Sequence, residues 1–354
     1  MNDLEKLCSR VTEAADCAVI TDDVNRRYFT AMKSSAGTLV VFPEKAYFII
    51  DFRYIEKAKK TVTACEVILQ DKLYEQINSL IEKHGAKTVS VNADTCTLSE
   101  LIAYQQKLNA EVIADTKLAE IIREIRTVKS QEQIDKIIKA QRIAEKGFAH
   151  MLDFIRVGRT EKEIQLELDY YMLKNGAEAL SFDTIALSGS NTSLPHGVPS
   201  DKKVESGEFV LMDFGATYDG WHSDMTRTVC VGKPSDKMES VYETVLTAQL
   251  SALDAVKAGM SGKALDKIAR DIITEAGYGD NFGHSLGHGV GVEIHESPYA
   301  SPSREDILPE NSIVTVEPGI YLEGKFGVRI EDFVVVTENG CINMTKAPKE
   351  LICL

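Results

Sequence analysis

The sequence is short of several things, and each shortage excludes something. Its seven cysteines, Cys8, Cys17, Cys65, Cys96, Cys230, Cys341 and Cys353, stand singly with no C-x-x-C pair. This rules out the paired spacing of structural zinc sites and is the usage of a reducing compartment. No apolar run approaches the ~18 residues that span a bilayer. The first ten residues mix charge with apolar side chains where a signal peptide would have its apolar core. The expected location is therefore cytoplasmic, with no membrane partner. Basic residues are outnumbered, 40 Lys and Arg against 54 Asp and Glu, for a net charge of −14. A nucleic-acid surface would be basic, so nucleic acid is not an expected partner, and the acidity reads as a solvated surface.

What remains is an ordinary globular composition, 44% hydrophobic and 27% charged over 354 residues, long enough for two domains. Up to about residue 116 the patterns alternate between helix and strand. Residues 4–15, 53–60, 73–84 and 98–108 read as helices, and residues 18–21 and 88–91 as strands. Residues 39–42 and 47–50 read as a hairpin turning at Pro43-Glu44-Lys45. This is a small α/β domain without a catalytic constellation. A charged, glycine-free connector follows, and the expected domains are 1–122 and 123–354. Ser130-Gln131-Glu132-Gln133 and Thr160-Glu161-Lys162-Glu163 have capping-box spacing and open helices, the second stopping at Asn175-Gly176.

The second domain repeats itself. Gly158 and Gly259 precede helices that stop at Gly176 and Gly277, in both cases 101 residues apart (259 − 158 and 277 − 176). The apolar run 209–212 ends on Asp213 and the run 313–316 ends on Glu317, 104 residues apart (317 − 213). Asp224 and Glu331 follow, each at the head of another β-branched run. An unpaired carboxylate closing an apolar strand is costly to bury. Two such halves about a pseudo-twofold axis would gather four carboxylates in one place, where they raise each other's pKa unless cations intervene.

Two divalent ions would answer that need. An oxygen-rich set with one imidazole suits Mn, Co, Fe or Zn, and the donor set does not choose among them. His288 is the best-placed imidazole, since Gly287, Gly289 and Gly291 let the backbone approach closely. The same glycines argue against a helical reading of the His284-x-x-x-His288 spacing. His284, His288 and His295 cluster beside the carboxylates, whereas His84 and His150 stand alone and read as structural.

These residues, in order and with their flanks (Asp213; Asp224; His288 in Gly-His-Gly-Val-Gly; Glu317 in Glu-Pro-Gly; Glu331 in Arg-Ile-Glu-Asp), resemble the five-ligand set of the pita-bread metallopeptidases. The resemblance is to the aminopeptidase P and prolidase branch and covers nearly the whole chain. Asn25-Arg26-Arg27-Tyr28 and Asp51-Phe52-Arg53-Tyr54 resemble the creatinase-type amino-terminal domain. The resemblance implies a mixed α/β chain, a small amino-terminal domain before a duplicated pita-bread catalytic domain. It implies that Asp224 and Glu331 bridge two metals, that Asp213 completes one site, and that His288 and Glu317 complete the other. A hydroxide between the metals would be the nucleophile and Glu317 the proton shuttle. His196, His284 and His295 would hold the substrate carbonyl, and Arg329 would stand beside the last ligand. A homodimer is also implied, and manganese comes first among the metals only through this resemblance.

The substrates implied are peptides with proline in second position. A dipeptidase must also recognise a free carboxylate after the proline, and some prolidases carry an arginine for it soon after the His-Glu pair. Here His295-Glu296-Ser297-Pro298 is followed by Tyr299, with Arg304 near enough to substitute. The tyrosine tilts the expectation towards an Xaa-Pro aminopeptidase, with an Xaa-Pro dipeptidase as the alternative. A non-catalytic binding protein on the same fold is disfavoured because no ligand is missing.

Overall fold

In the first part of the chain the strands are apolar on both faces, the pattern of a sheet covered by helices on each side. The computed structural model describes residues Met1–Leu354 and divides into two units, Met1–Arg126 and Thr127–Leu354. The first unit holds six strands, β1 (Cys17–Ile20), β2 (Thr38–Val41), β3 (Ala46–Ile50), β4 (Glu66–Leu69), β5 (Thr88–Val91) and β6 (Glu111–Ile113). They form one sheet in the order β4-β3-β2-β1-β5-β6. The middle strands pair antiparallel through the expected turn, Val41 opposite Ala46, and the outer pairs are parallel. Ala18, Ile20, Leu39 and Phe48 enter one core with Leu4, Leu7 and Phe29; Cys17, Val19, Val40 and Ile49 enter the other with Ile77 and Ile81.

Three elements of this unit escape the sequence patterns. The helix Asp23–Thr30 is capped by the Asp22 side chain, which accepts from the Asn25 N–H. The edge strands β4 and β6 are too short and too exposed to show an apolar run. The expected boundary at residue 122 also moves. Residue 122 lies inside the helix Lys117–Thr127, whose Leu118, Ile121, Ile122 and Ile125 are buried in the first core. All of the helix but its last residue, Thr127, therefore belongs to the first unit.

The second unit consists of two halves built alike. The first half opens with helices Gln131–Phe154 and Glu161–Lys174, capped by Ser130 and Thr160 in full capping boxes. Strands β7 (Ala179–Leu180), β8 (Ile185–Ser188), β9 (Glu208–Phe214), β10 (Ala216–Tyr218), β11 (Trp221–His222) and β12 (Met225–Val231) follow. The second half opens with helices Asp236–Ala255 and Gly262–Glu275. It continues with β13 (Gly287–Gly289), β14 (Glu296–Ala300), β15 (Ile313–Val316), β16 (Gly319–Leu322), β17 (Phe326–Arg329), β18 (Asp332–Thr337) and β19 (Gly340–Asn343). Gly176 and Gly277, 101 residues apart in the sequence, both take positive φ, +107° and +86°, just beyond the two shorter helices.

In each half a strand, a two-stranded ribbon and a returning antiparallel strand succeed one another: β9, β10–β11, β12 and then β15, β16–β17, β18. The register sets Asp213 opposite Thr226 and Val316 opposite Asp332. A carboxylate near the end of the outgoing strand and another just before the returning strand therefore come side by side, once per half. The seven cysteines are all free thiols. No helix is long and apolar enough to cross a membrane.

Candidate metal centre and active site

The two hairpins meet through β12. The Glu331 N–H donates to the Thr226 carbonyl at 3.2 Å, and the Thr228 hydroxyl donates to the Arg329 carbonyl at 3.0 Å. Arg227, 1% exposed, donates to Asp332 at 2.7 Å and also reaches the carbonyls of Glu331 and Ala347. The segments bearing Asp224 and Glu331 are thus locked together by a fully buried ion pair.

Ligand atoms of Asp224, His288 and Glu331 lie within 4.8 Å of one another. Asp213 and Glu317 flank them. The carboxylate of Asp213 receives the Arg329 guanidinium at 2.5 Å, and Glu317 sits 3.3 Å from His288 Nε2. Asp224 and Glu331 are 4% and 1% exposed. Burial first, and then the charges of the neighbouring carboxylates, push the pKa of both well above the usual range, and burial also raises Asp213. For Glu317, burial is outweighed by the hydrogen bond and charge of His288, which bring it down to about 2. Burial is likewise outweighed at His288, where the contacts with Glu317 and Asp224 raise it to about 9.

The donor set fits divalent cations. One oxygen of Asp213 and one of Glu331 are buried without any hydrogen-bond partner, the condition of a carboxylate lacking its counter-ion. His288 Nδ1 lies 3.0 Å from the Gly289 carbonyl, which can only accept, so Nδ1 carries a proton, and Nε2, which faces Asp224 and Glu317, is the nitrogen that would give up its proton to a metal ion. The loop glycines act by close approach, as expected: a Cβ on Gly287 would stand 1.9 Å from the Thr315 carbonyl oxygen, and one on Gly289 2.4 Å from that of Ser297. His288 lies on a strand, β13, and not on a helix. Thr315 fastens two of the candidate ligands, accepting from the His288 N–H and donating to Glu317, each at 3.0 Å.

All five candidate ligands open on one cavity of about 490 Å³, together with His196, His284, His295 and Arg329. Phe182, Ile185 and Ile294 give it an apolar wall. The three histidines differ. His196 and His295 are exposed and their ring nitrogens are uncommitted within the chain; burial, and then the charge of His288, lower the pKa of His295. His284 is committed on both sides. Its Nδ1 donates to the Ser285 carbonyl at 2.8 Å, so Nε2 accepts from the Tyr321 hydroxyl at 2.9 Å. Burial holds its pKa below the ordinary value. The expectation that His284 holds a substrate carbonyl therefore meets a side chain with no donor to spare.

Tyr321 receives Arg329 Nη1 at 2.8 Å while Arg329 Nε donates to Thr226, whose hydroxyl donates to Glu331 at 2.7 Å. A single buried network thus runs from Ser285 to two ligand carboxylates. Sequence reading passed over Tyr321 and Thr226; a hydroxyl two residues past Gly319, in an otherwise apolar ribbon, was the available signal for the first. His84 stacks on Phe42 and His150 on Tyr171, at ring distances of 4.1 and 4.2 Å, remote from this cluster in role.

Comparison with known proteins follows the same division. Residues 135–338 match metallopeptidase family M24, and residues 4–128 match the creatinase/prolidase N-terminal domain. The Xaa-Pro dipeptidase of Pyrococcus furiosus is 40% identical over 99% of both chains. Among solved structures, the Xaa-Pro dipeptidase from Bacillus anthracis superposes with a TM-score of 0.96 at 42% identity, covering 99% of each chain. The X-Pro aminopeptidase from Thermotoga maritima superposes at 0.90 and 38% identity, covering 96% of this chain and 98% of that one. With the carboxylate–histidine cluster in place and end-to-end similarity of this order, the chain belongs to metallopeptidase family M24, in the pita-bread branch that includes the Xaa-Pro dipeptidases and aminopeptidases.

Proposed function

We propose that this chain is an Xaa-Pro dipeptidase dependent on two divalent metal ions, reversing the tilt towards an aminopeptidase that Tyr299 gave. The observation that carries this reading is the position of Arg304. Its guanidinium lies 4.1 Å over the ring of Tyr299, and Tyr299 lines the cavity. Its closest acid is Asp306 at a loose 3.9 Å, so the fork remains available for a carboxylate. A cation stacked on the tyrosine supplies what the tyrosine itself lacks. The relatives named Xaa-Pro dipeptidase support the same reading, at 40% and 42% identity.

Asp213, Asp224, His288, Glu317 and Glu331 are the residues that would hold the metal pair. When bound, such a pair polarises a carbonyl and brings water's pKa towards neutrality. Glu317 is the ionised group at the cavity floor, placed to take a proton from water and return it to the proline nitrogen. His196 and His295, with ring nitrogens free, donate to the carbonyl oxygen as it gains charge. Phe182, Ile185 and Ile294 offer the proline ring an apolar wall and exclude water from it. Arg329 holds Asp213 and, through Thr226, Glu331, and so acts on ligand geometry.

Assay of Xaa-Pro dipeptides against Xaa-Pro-Xaa tripeptides tests the reading. Arg304→Ala should lower kcat/KM for dipeptides about 10- to 100-fold, chiefly through KM, the size of a hydrogen bond to a charged group. Preference for tripeptides, indifferent to Arg304, would favour the aminopeptidase reading that Tyr299 suggests.

A further inference from the structure

Glu161 belongs to no ligand set, yet it is the most heavily hydrogen-bonded carboxylate in the second unit. It is fully buried, at 0% exposure, in the first turn of the helix Glu161–Lys174. Five donors converge on it. They are the Ser188 N–H and hydroxyl at 2.7 and 3.2 Å, the Asn191 amide at 3.0 Å, and the Ser200 N–H and hydroxyl at 2.9 and 2.6 Å. Ser188 ends β8, and Ser200 lies twelve positions later in the sequence (200 − 188). Between them runs the loop whose apex, Pro195-His196, enters the cavity. One carboxylate thus closes the loop at both ends and at Asn191.

We propose that Glu161 is a positioning residue for His196. A loop of this length pays for its order in backbone entropy unless its ends are tied, and His196 itself is exposed, with nothing in the chain holding its ring. Other ties are local or single: the Ser193 hydroxyl donates to the Ser190 carbonyl at 2.8 Å, the Gly197 N–H to the Leu194 carbonyl at 3.1 Å, the Lys162 N–H to the Ser200 carbonyl at 3.1 Å, and Arg329 Nη1 to the Pro195 carbonyl at 3.4 Å. The Thr192 hydroxyl donates to the Gly189 carbonyl at 2.6 Å and accepts from the Gly327 N–H at 2.8 Å. An ionised carboxylate accepts from every donor it meets, so Glu161 satisfies all five at once. A glutamine of the same shape cannot, because either orientation sets its amide N–H against a backbone N–H, that of Ser188 or that of Ser200. Lys202 completes the arrangement, reaching the Ser188 hydroxyl at 3.1 Å and Glu208 at 2.7 Å.

The inference rests on the reading of His196 as a substrate-contacting group, and a double-mutant cycle separates the two. The holoenzyme and its variants Glu161→Gln, His196→Ala and the double variant are assayed on an Xaa-Pro dipeptide, well below their melting temperatures and with metal content measured. Glu161→Gln should lower kcat about 10- to 100-fold with metal content unchanged, as expected when a donor to a developing oxyanion is misplaced. In the His196→Ala background the same change should cost less than about 2-fold, since a clamp has nothing left to position. Asn191→Ala, which removes one arm and spares the rest, should show a smaller loss that also disappears in that background. A Glu161→Gln loss that is undiminished in an impaired His196→Ala enzyme overturns the clamp and leaves the role of His196 standing. His196→Ala with parental activity overturns both.

Discussion

Tyr321 carries no charge, yet it joins His284 to Arg329 and, through Arg329, to Asp213 and Glu331. Its hydroxyl is buried, and burial is the chief cause that pushes its pKa up to about 12, so it stays protonated and can donate to His284. Tyr321→Phe would leave Arg329 Nη1 and His284 Nε2 facing each other without a bridge. Denaturant unfolding should show a loss of about 1–3 kcal/mol, the cost of unsatisfied buried polar groups. An unchanged midpoint would mean that the network is not structural. At this scale the candidate carboxylate–histidine cluster was legible, because a carboxylate closing a β-branched run announces an unmet electrostatic need. The hydroxyls were not, since a tyrosine or threonine in a strand is compatible with ordinary packing until its partners are known. The partners of His284 were hidden for the same reason: which ring nitrogen is engaged depends on Tyr321 and the Ser285 carbonyl, neither of them predictable from spacing.

Among the elements, the strand β13 is the most demanding. It is only three residues long, and Gly287 and Gly289 have no room for a side chain against the backbones of Thr315 and Ser297. Gly287→Ala would push β13 off β15 and move His288 away from Glu317 and Asp224. Metal titration should show at least one site weakened about 10-fold or more, on the scale of losing a group that orients a ligand. Gly283→Ala, with nothing within 4 Å of the added carbon, should bind metal as the parent does. The buried Arg227–Asp332 pair makes the matching demand on β12 and β18. Asp332→Ala would strand Arg227 and Lys349, which both bond to it, at a cost of about 3–5 kcal/mol by denaturant unfolding. The glycine triplet was readable as close approach, and the helix caps at Ser130 and Thr160 were readable from spacing. The helix Asp23–Thr30 and the edge strands were not, because a single aspartate cap and three or four half-exposed residues carry little periodic signal.

For the whole molecule, the duplicated half explains why so many acids are tolerated in one place. Each half, alone, would end two strands on carboxylates exposed at an edge; together they bury four in a shared field that favours cations. Metal-free protein should therefore be less stable than the loaded form, with an unfolding midpoint that rises with metal concentration, by about 2.7 kcal/mol at a hundredfold excess over Kd. Asp224→Asn should remove that difference. It relieves repulsion and stabilises the metal-free protein, and it abolishes the metal-dependent gain. The pseudo-twofold was legible because equal offsets of helix stops and strand-end acids recur down the sequence. The expected boundary at residue 122 falls inside the last helix of the first unit, which is charged on its outer face and apolar only where it packs.

The most direct test is to strip the protein with a chelator and follow hydrolysis of an Xaa-Pro dipeptide as manganese is added back. Activity should be absent at first, rise with added metal and level off at two equivalents per chain, with Glu331→Ala remaining inactive throughout. Full hydrolysis by the stripped protein, or by Glu331→Ala, would contradict the account.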